Sequence, residues 1–124
     1  MKYDVQAANA IAADYAAGDL PKIIDTGASF SNTIYPNAQY GVSLDGLATA
    51  DITVTVSAGN TAEGTDKKEL FKVTVKEGSR LGYAPIPTIP GRYIFASAAG
   101  EYSGKITAGI VYGIASPLGV GLNV

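Results

Sequence analysis

Carboxylates are the only candidates for acid–base catalysis in this sequence, because the chain contains neither histidine nor cysteine. Asp25 stands before Thr26-Gly27 and Asp45 before Gly46. At such positions an aspartate typically caps a turn by accepting hydrogen bonds from the next backbone amides. No second acid or base lies at a recognisable catalytic spacing from either residue. The sequence therefore predicts structural roles for both carboxylates and no enzymatic activity.

Metal and cofactor chemistry is equally poorly supported. The absence of cysteine and histidine removes the thiolate and imidazole ligands that most zinc sites use. The segment 60–66 is rich in oxygen ligands, but it lacks the spaced acids and the terminal glutamate of a calcium-binding EF-hand loop. Gly78, Gly82 and Gly91 do not have the spacing of a phosphate-binding loop. We therefore expect neither a metal nor a cofactor.

The eight tyrosines suggest one alternative function. Aromatic faces can form a platform for sugar rings, and a small carbohydrate-binding jelly-roll module would use surface tyrosines in this way. Tyr40, Tyr93 and Tyr112, however, fall within predicted strands, where a tyrosine more often belongs to the core or to the sheet surface. The carbohydrate-binding interpretation stays open as the alternative.

Composition indicates one globular β-rich domain that does not bind nucleic acid. Hydrophobic residues make up 47% of the 124 residues and charged residues 16%, which excludes a disordered chain. The net charge of −2 and the pI near 4.9 argue against nucleic acid as a partner. No apolar run reaches transmembrane length, and polar residues interrupt the N-terminal segment where a secretory signal would be apolar. We expect no membrane partner and folding in a cytoplasm.

Alternating apolar and polar residues predict an all-β protein, an antiparallel jelly roll or β-sandwich of about eight short strands. The alternation is clearest in 52–57, where Ile52, Val54 and Val56 share one face. Segment 80–84 is followed by prolines, which predicts a short edge strand or an extended crossover rather than a central strand. Segments 92–97 and 105–115 are predicted to form a hairpin on which the core is built, with bulky residues on one face of the second arm: Ile106, Ala108, Ile110, Tyr112 and Ile114.

The two ends of the chain are predicted to lie outside the jelly-roll domain, which spans 21–116. Residues 1–20 form an N-terminal arm. Their alanines favour a helix, but they offer few large side chains to dock one. The alternative is an extended arm that lies along a neighbour, and we favour an arm with local structure. Residues 117–124 form an extended C-terminal tail in which aliphatic residues alternate with glycine and other residues. The residues predicted to bind a partner are the large side chains of both ends: Tyr3, Val5, Ile11, Tyr15, Leu118, Val120, Leu122 and Val124.

Several short pieces, in the same order, resemble the capsid cement (decoration) proteins of tailed bacteriophages, of the Bordetella-phage type. The matching pieces are Ile24-Asp25-Thr26-Gly27, the strand 52–56, Gly78-Ser79-Arg80-Leu81 with prolines behind it, Arg92-Tyr93-Ile94, and 104–111. The last piece resembles the closing strand of that family. The Ala-rich N-terminus and the apolar tail depart from the family pattern.

The resemblance implies a jelly-roll protein that binds the outer surface of a phage head and bridges subunits of the major capsid protein. It also implies self-association, for which we expect a homodimer first and a homotrimer second. Such a protein is made in the cytoplasm of the bacterial host and resides on the outer surface of the virion. The absence of a catalytic residue set and the mild acidity agree with this expectation.

Overall fold

The computed structural model of the chain describes residues 3–27, 38–87 and 91–112, and these residues form two antiparallel β-sheets. The described ranges contain no helix, and thus no helix that could cross a membrane. The all-β prediction is therefore confirmed. The strands are β1 (Tyr3–Asp14), β2 (Gly18–Asp19), β3 (Ile24–Asp25), β4 (Ala38–Leu44), β5 (Ile52–Gly59), β6 (Lys68–Val75), β7 (Leu81–Pro85), β8 (Tyr93–Ala99) and β9 (Lys105–Tyr112).

The strand order gives a sandwich whose pairing is nested. Sheet A has the order β1-β9-β4-β7, and sheet B has the order β2-β8-β5-β6, with β3 also paired to β8. Early strands pair with late ones: β1 with β9, β2 and β3 with β8, and β4 with β7. Of the described strands, only β5 and β6 pair with their immediate neighbour in the chain. The pairing is that of one long folded hairpin with its tip at residues 60–67.

The core lies between the two sheets and is built from alternate residues of each strand, as the periodicity predicts. In β5 the side chains of Ile52, Val54 and Val56 are fully buried, whereas Thr53 and Thr55 are half-buried on the other face. The same alternation buries three residues of β4, two of β6, three of β8 and three of β9: Tyr40, Val42, Leu44, Val73, Val75, Ile94, Ala96, Ala98, Ile106, Ala108 and Ile110.

The predicted hairpin of 92–97 with 105–115 is wrong. β8 belongs to sheet B and β9 to sheet A, so the segment between them crosses from one sheet to the other. The physical reason is that both strands carry a row of buried apolar side chains. These two rows face each other across the core, which two strands lying side by side in one sheet do not achieve. Ile114, predicted for the second arm, lies outside the described residues.

Residues 3–14, predicted as part of an arm, are instead a strand of sheet A, and residues 18–19 pair with β8 in sheet B. They form neither a helix nor an arm along a neighbour. The sandwich therefore includes strands that precede residue 21, the predicted start of the domain. Ala7 and Ala10 belong to the hydrophobic core. The pairing of β1 with β9 contains register shifts, and Ala12 has φ 43°, so this strand has no clean two-residue period to read.

A close approach of backbones holds β1 to β9. A Cβ added at Gly109 would lie 2.5 Å from Cα of Ala8, so any side chain at this position would push β1 away. Lys105 Nζ and Asp14 Oδ1 also join the two strands, at 2.6 Å. Sheet A therefore depends on a glycine at the centre of β9.

Asn9 of β1 is fully buried and connects the two sheets. Its amide nitrogen donates to the carbonyl oxygens of Lys22 at 2.8 Å and Ile94 at 3.1 Å. Its Oδ1 accepts a hydrogen bond of 2.6 Å from the hydroxyl of Tyr40 in β4. The side chain of Asn9 thereby provides hydrogen-bond partners for polar groups that are buried between the sheets.

Candidate interaction surface

The exposed large apolar side chains of the described residues are concentrated at one corner of the sandwich. Leu47 is 60% exposed, and Leu81 and Tyr83 are each 47% exposed. We call these three residues the β7 surface, because Leu81 and Tyr83 belong to that edge strand and Leu47 lies on the loop beside it. Ile11 on β1 and Ile23 before β3 are exposed elsewhere.

The β7 surface is positioned by the alternation of its strand and by backbone contacts. Leu81 and Tyr83 point outward, whereas Gly82 and Ala84, at the alternate positions, are half-buried. A Cβ added at Gly82 would lie 2.5 Å from the carbonyl oxygen of Thr74, so β7 sits directly against β6 at this position. The glycine at residue 82 therefore allows the close approach of β7, the edge of sheet A, to β6, the edge of sheet B.

A loop-to-loop contact places Leu47 next to β7. The amide of Gly78 donates to the carbonyl of Ala48 at 2.8 Å, and the amide of Ala48 donates to the carbonyl of Ser79 at 2.8 Å. Between these loops lies an open hollow of about 570 Å³. It is lined by Leu44, Leu47, Gly78, Ser79, Arg80 and Leu81.

The outward positions of sheet A next to β7 carry no charge. On β4, Gly41 lies opposite Tyr83 and Ser43 lies opposite Leu81. On the other side of β4, Gly41 pairs with Gly109 of β9 and Ser43 pairs with Thr107. Sheet B differs, because both of its edges carry exposed charges. These are Glu69 and Lys72 on β6, Asp19 on β2 and Asp25 on β3. The exposed apolar side chains of β7 therefore lie beside uncharged positions of sheet A, whereas charged side chains of that sheet, Lys105 and Asp14, pair on β9 and β1.

A second depression, of about 180 Å³, lies at the other side of the sandwich. Phe95 and Lys67 both line it, and the ammonium group of Lys67 stands 5.2 Å from the centre of the Phe95 ring. The walls carry both signs of charge, from Asp19, Lys22 and Glu63.

Asp25, expected to cap a turn, does so and also binds an arginine that sequence reasoning missed. Its Oδ1 accepts a hydrogen bond of 2.8 Å from the amide of Gly27. Arg92 donates to both carboxylate oxygens, at 2.7 and 2.9 Å. The hydrogen bond from Arg92 lowers the pKa of Asp25, and that from Gly27 adds to the effect. The carboxylate of Asp25 thus ties β3 to the start of β8.

Asp45 and Asp66 hold loops. Asp45 Oδ1 accepts hydrogen bonds from the hydroxyl of Tyr102 and from the amide of Lys105, and the Tyr102 hydroxyl is the main cause of the lowered pKa of Asp45. This differs from the expected turn cap, because the bonds reach across to the β8–β9 connection. The carboxylate of Asp66 accepts from the amides of Asn60 and Thr61, which folds the 60–67 loop on itself and lowers the pKa of Asp66. In the described ranges, no group of three or more acidic, histidine or cysteine residues is arranged to hold a metal ion.

The tyrosines with described side chains are scattered over the molecule. Tyr40 is buried against Phe71 in the core, with ring centres 5.8 Å apart. Tyr15 and Tyr102 pack edge to face at one end of the sandwich, and Arg92 covers the ring of Tyr93. These positions do not share one groove.

The structure places only some of the predicted partner-binding residues. Ile11 is 39% exposed on β1, whereas Tyr15 is half-buried and donates a hydrogen bond to the carbonyl of Gly100. Tyr3 and Val5 lie in β1, but their side chains are outside the described part, as is the whole tail with Leu118, Val120, Leu122 and Val124. The prediction for those six residues stays a prediction.

Sequence reasoning missed the β7 surface. Its signal was present, because residues 81–87 contain no charged residue and segment 80–84 was expected to be an edge strand or an extended crossover. Sheet edges in natural proteins are usually protected by charge, proline, bulges or short length, so the missing charge is the feature that the sequence offered.

Comparison with known proteins gave no match: no family model, no curated protein and no solved structure is significantly similar to this chain.

Proposed function

We propose that this protein is a structural capsid cement protein. In this function it binds the outer surface of a phage head and bridges subunits of the major capsid protein. The observation that carries the proposal is the β7 surface, in which Leu47, Leu81 and Tyr83 are exposed at a sheet edge, and the positions of β4 opposite Leu81 and Tyr83 carry no charge. Large apolar groups at an edge serve contact with another protein better than they serve catalysis or ligand enclosure.

The strand order supports a jelly-roll topology, which the resemblance to cement proteins implies. A jelly roll consists of two sheets in which strands from the two halves of the chain alternate. The orders β1-β9-β4-β7 and β2-β8-β5-β6 follow this scheme, with β2 and β3 together taking one strand position. The nested pairing, with its tip at residues 60–67, is what a long hairpin wrapped into a sandwich produces.

A cement protein acts through the area that it buries, and the β7 surface offers a modest amount for each copy. Burying the exposed parts of Leu47, Leu81 and Tyr83 contributes about 1 kcal/mol each by area. Several such contacts, repeated over many copies on one shell, stabilise it without any catalytic residue. The predicted contacts of the C-terminal tail at 117–124 would add to this area.

Carbohydrate binding, the alternative function, has less support. A sugar platform needs aromatic rings on one concave surface, and the described tyrosines lie in the core, at one end, under Arg92 and on β7. The proposal therefore rests on protein contact, and the virion surface is the proposed location.

The test is retention of the purified protein on phage heads that were stripped of their outer proteins. We expect it to co-sediment with the heads and to raise the temperature at which they release their DNA. Leu47→Glu should reduce retention, because it puts a charge into the β7 surface. The matched control is Thr55→Glu on the outer face of sheet B, which should leave retention unchanged. Absence of retention of the unmodified protein, or binding to a glycan array instead, would refute the cement function.

A further inference from the structure

The two sheets of the described strands have four edges, and three of them carry features that hinder pairing with another strand. Charged side chains, bulges, prolines and short strand length are the usual protection of a sheet edge, and the first two are the strongest contrast among these four edges. β1 has register shifts, the edge formed by β2 and β3 carries two aspartates, and β6 carries both signs of charge. β7 has neither charge nor register shift. It ends at Pro85, which limits the length over which it can pair.

The backbone groups of β7 that point away from sheet A can be assigned from its pairing with β4. The amide of Leu44 donates to the carbonyl of Arg80 at 2.9 Å. Hydrogen-bonded pairs alternate along an antiparallel ladder, so Gly82 and Ala84 also direct their backbone groups toward β4. The N–H and C=O groups of Leu81 and Tyr83 therefore point outward, and no described strand pairs with them.

We propose that this edge pairs with β7 of a second copy of the chain, antiparallel and around a two-fold axis at Tyr83. In this register Tyr83 lies opposite its own copy, and the two exchange backbone hydrogen bonds. Leu81 lies opposite Pro85 of the second copy, and its N–H donates to that carbonyl. The arrangement is isologous, so the same bonds form in both directions. The missing N–H of proline removes a bond only at each end of the ladder.

The side chains fit this pairing. On the outer face an aromatic pair forms at the centre, with an apolar pair of leucine and proline on each side, and such cross-strand pairs stabilise a sheet. On the inner face Gly82 and Ala84 bring no bulk. Residues 81–87 contain no acid or base, so no like charges meet. Arg80, the nearest charged residue, lies just before the strand.

The pairing joins the two copies of sheet A into one continuous sheet. Its biological role rests on the proposed function, because a pair of copies on a phage head would span neighbouring capsid subunits. A five-residue strand makes a small interface, below the standard size of stable complexes. We therefore expect a dissociation constant on the order of micromolar in free solution. Binding to a shell would raise the local concentration and favour the pair.

The first experiment measures the mass of the free protein by sedimentation equilibrium between about 1 μM and 1 mM. We expect a monomer–dimer equilibrium. Tyr83→Lys should abolish the dimer, because it places two like charges opposite each other at the axis. Ile11→Lys, on the opposite edge of sheet A, is the matched control and should leave the dimer unchanged. Circular dichroism checks that both variants keep their sheet content.

A monomer at all concentrations would overturn the proposal, and so would a trimer, because antiparallel pairing of one edge closes at two copies. A dimer that survives Tyr83→Lys, or that is lost in Ile11→Lys, would place the contact elsewhere.

The second experiment does not depend on a disruptive variant. The chain contains no cysteine, so Tyr83→Cys introduces a single thiol at the proposed axis. A short bis-maleimide should link two copies rapidly, whereas Thr55→Cys should give only the slow linking of random collisions. Equal rates at the two positions would refute the pairing. Both experiments use free protein, so a dimer without retention on heads would contradict the cement function alone, and retention by a protein that stays monomeric would contradict the pairing alone.

Discussion

The hydrogen bond between Tyr40 and Asn9 allows a quantitative test of what holds the two sheets together. Tyr40→Phe removes only the hydroxyl that donates to Asn9 Oδ1 at 2.6 Å, and it keeps the ring that packs against Phe71. Asn9 is 0% exposed, so water cannot replace the lost donor. Leaving a buried acceptor without its donor costs about 1–3 kcal/mol, and we expect Tyr40→Phe to lower the free energy of unfolding by this amount.

Asn9→Ala should cost more, because it removes three hydrogen bonds at once: those to the carbonyls of Lys22 and Ile94 and the one from Tyr40. At about 1 kcal/mol for each bond, the expected loss is about 3 kcal/mol or more. In the double variant with Tyr40→Phe, the hydroxyl is removed from a site that has already lost Asn9 Oδ1. The two losses should therefore overlap by about 1 kcal/mol.

The assay is urea unfolding followed by far-ultraviolet circular dichroism, with the slopes of the transitions compared before free energies are extracted. Tyr83→Phe is the matched control, since that tyrosine is exposed, and it should change the free energy by no more than about 0.5 kcal/mol. If Tyr40→Phe is as stable as the control, or if the two single losses add in full, the hydrogen bond does not stabilise the sandwich.

Two further predictions follow from β5 and from the ion pair at β3. Val54→Asp places an unpaired charge in the core and should lower the free energy of unfolding by several kcal/mol. Thr55→Asp lies opposite Lys72 on the wet face and should change it by no more than about 1 kcal/mol. Equal losses in urea unfolding would show that both faces of β5 are buried. Because hydrogen bonds from Arg92 and Gly27 lower the pKa of Asp25, the stability that they provide is present above the ordinary pKa of an aspartate and is lost as pH falls through the lowered value. Below about pH 4 the unmodified protein should therefore lose thermal stability more steeply than Asp25→Asn, and parallel melting curves of the two against pH would contradict this.

The strands that could be read from the sequence are those with one buried and one wet face. In β5, Ile52, Val54 and Val56 alternate with threonine and serine, and the structure buries the apolar set and leaves the other set half-buried. β7 lies at the edge of sheet A, which was one of the two predicted alternatives, because a proline such as Pro85 cannot donate a hydrogen bond inside a sheet. In these segments local chemistry alone decides the conformation.

The rest depends on contacts between residues that are distant in sequence. The alanines of β1 are too small to give a clear alternation of large apolar and polar residues, and the register shifts break the two-residue period. Intrinsic propensity therefore favoured a helix where the structure has a strand. Whether β8 and β9 form a hairpin or face each other depends on what lies across the core, which no local pattern records. The bond of Asn9 with Tyr40 and that of Asp25 with Arg92 are also invisible in sequence, because each joins residues more than thirty positions apart.

The nested order of the strands has a consequence for how the protein is made. β1 pairs only with β9, so its partner leaves the ribosome after all the other described strands. Such a topology has a high contact order, and proteins of this kind fold slowly, in milliseconds to seconds, because long loops must close before the pairing can stabilise them. The hairpin of β5 and β6 is the one pairing of described strands that can form early. Until β9 arrives, the apolar faces of the other strands stay open, and the growing chain is at its most vulnerable to aggregation during synthesis.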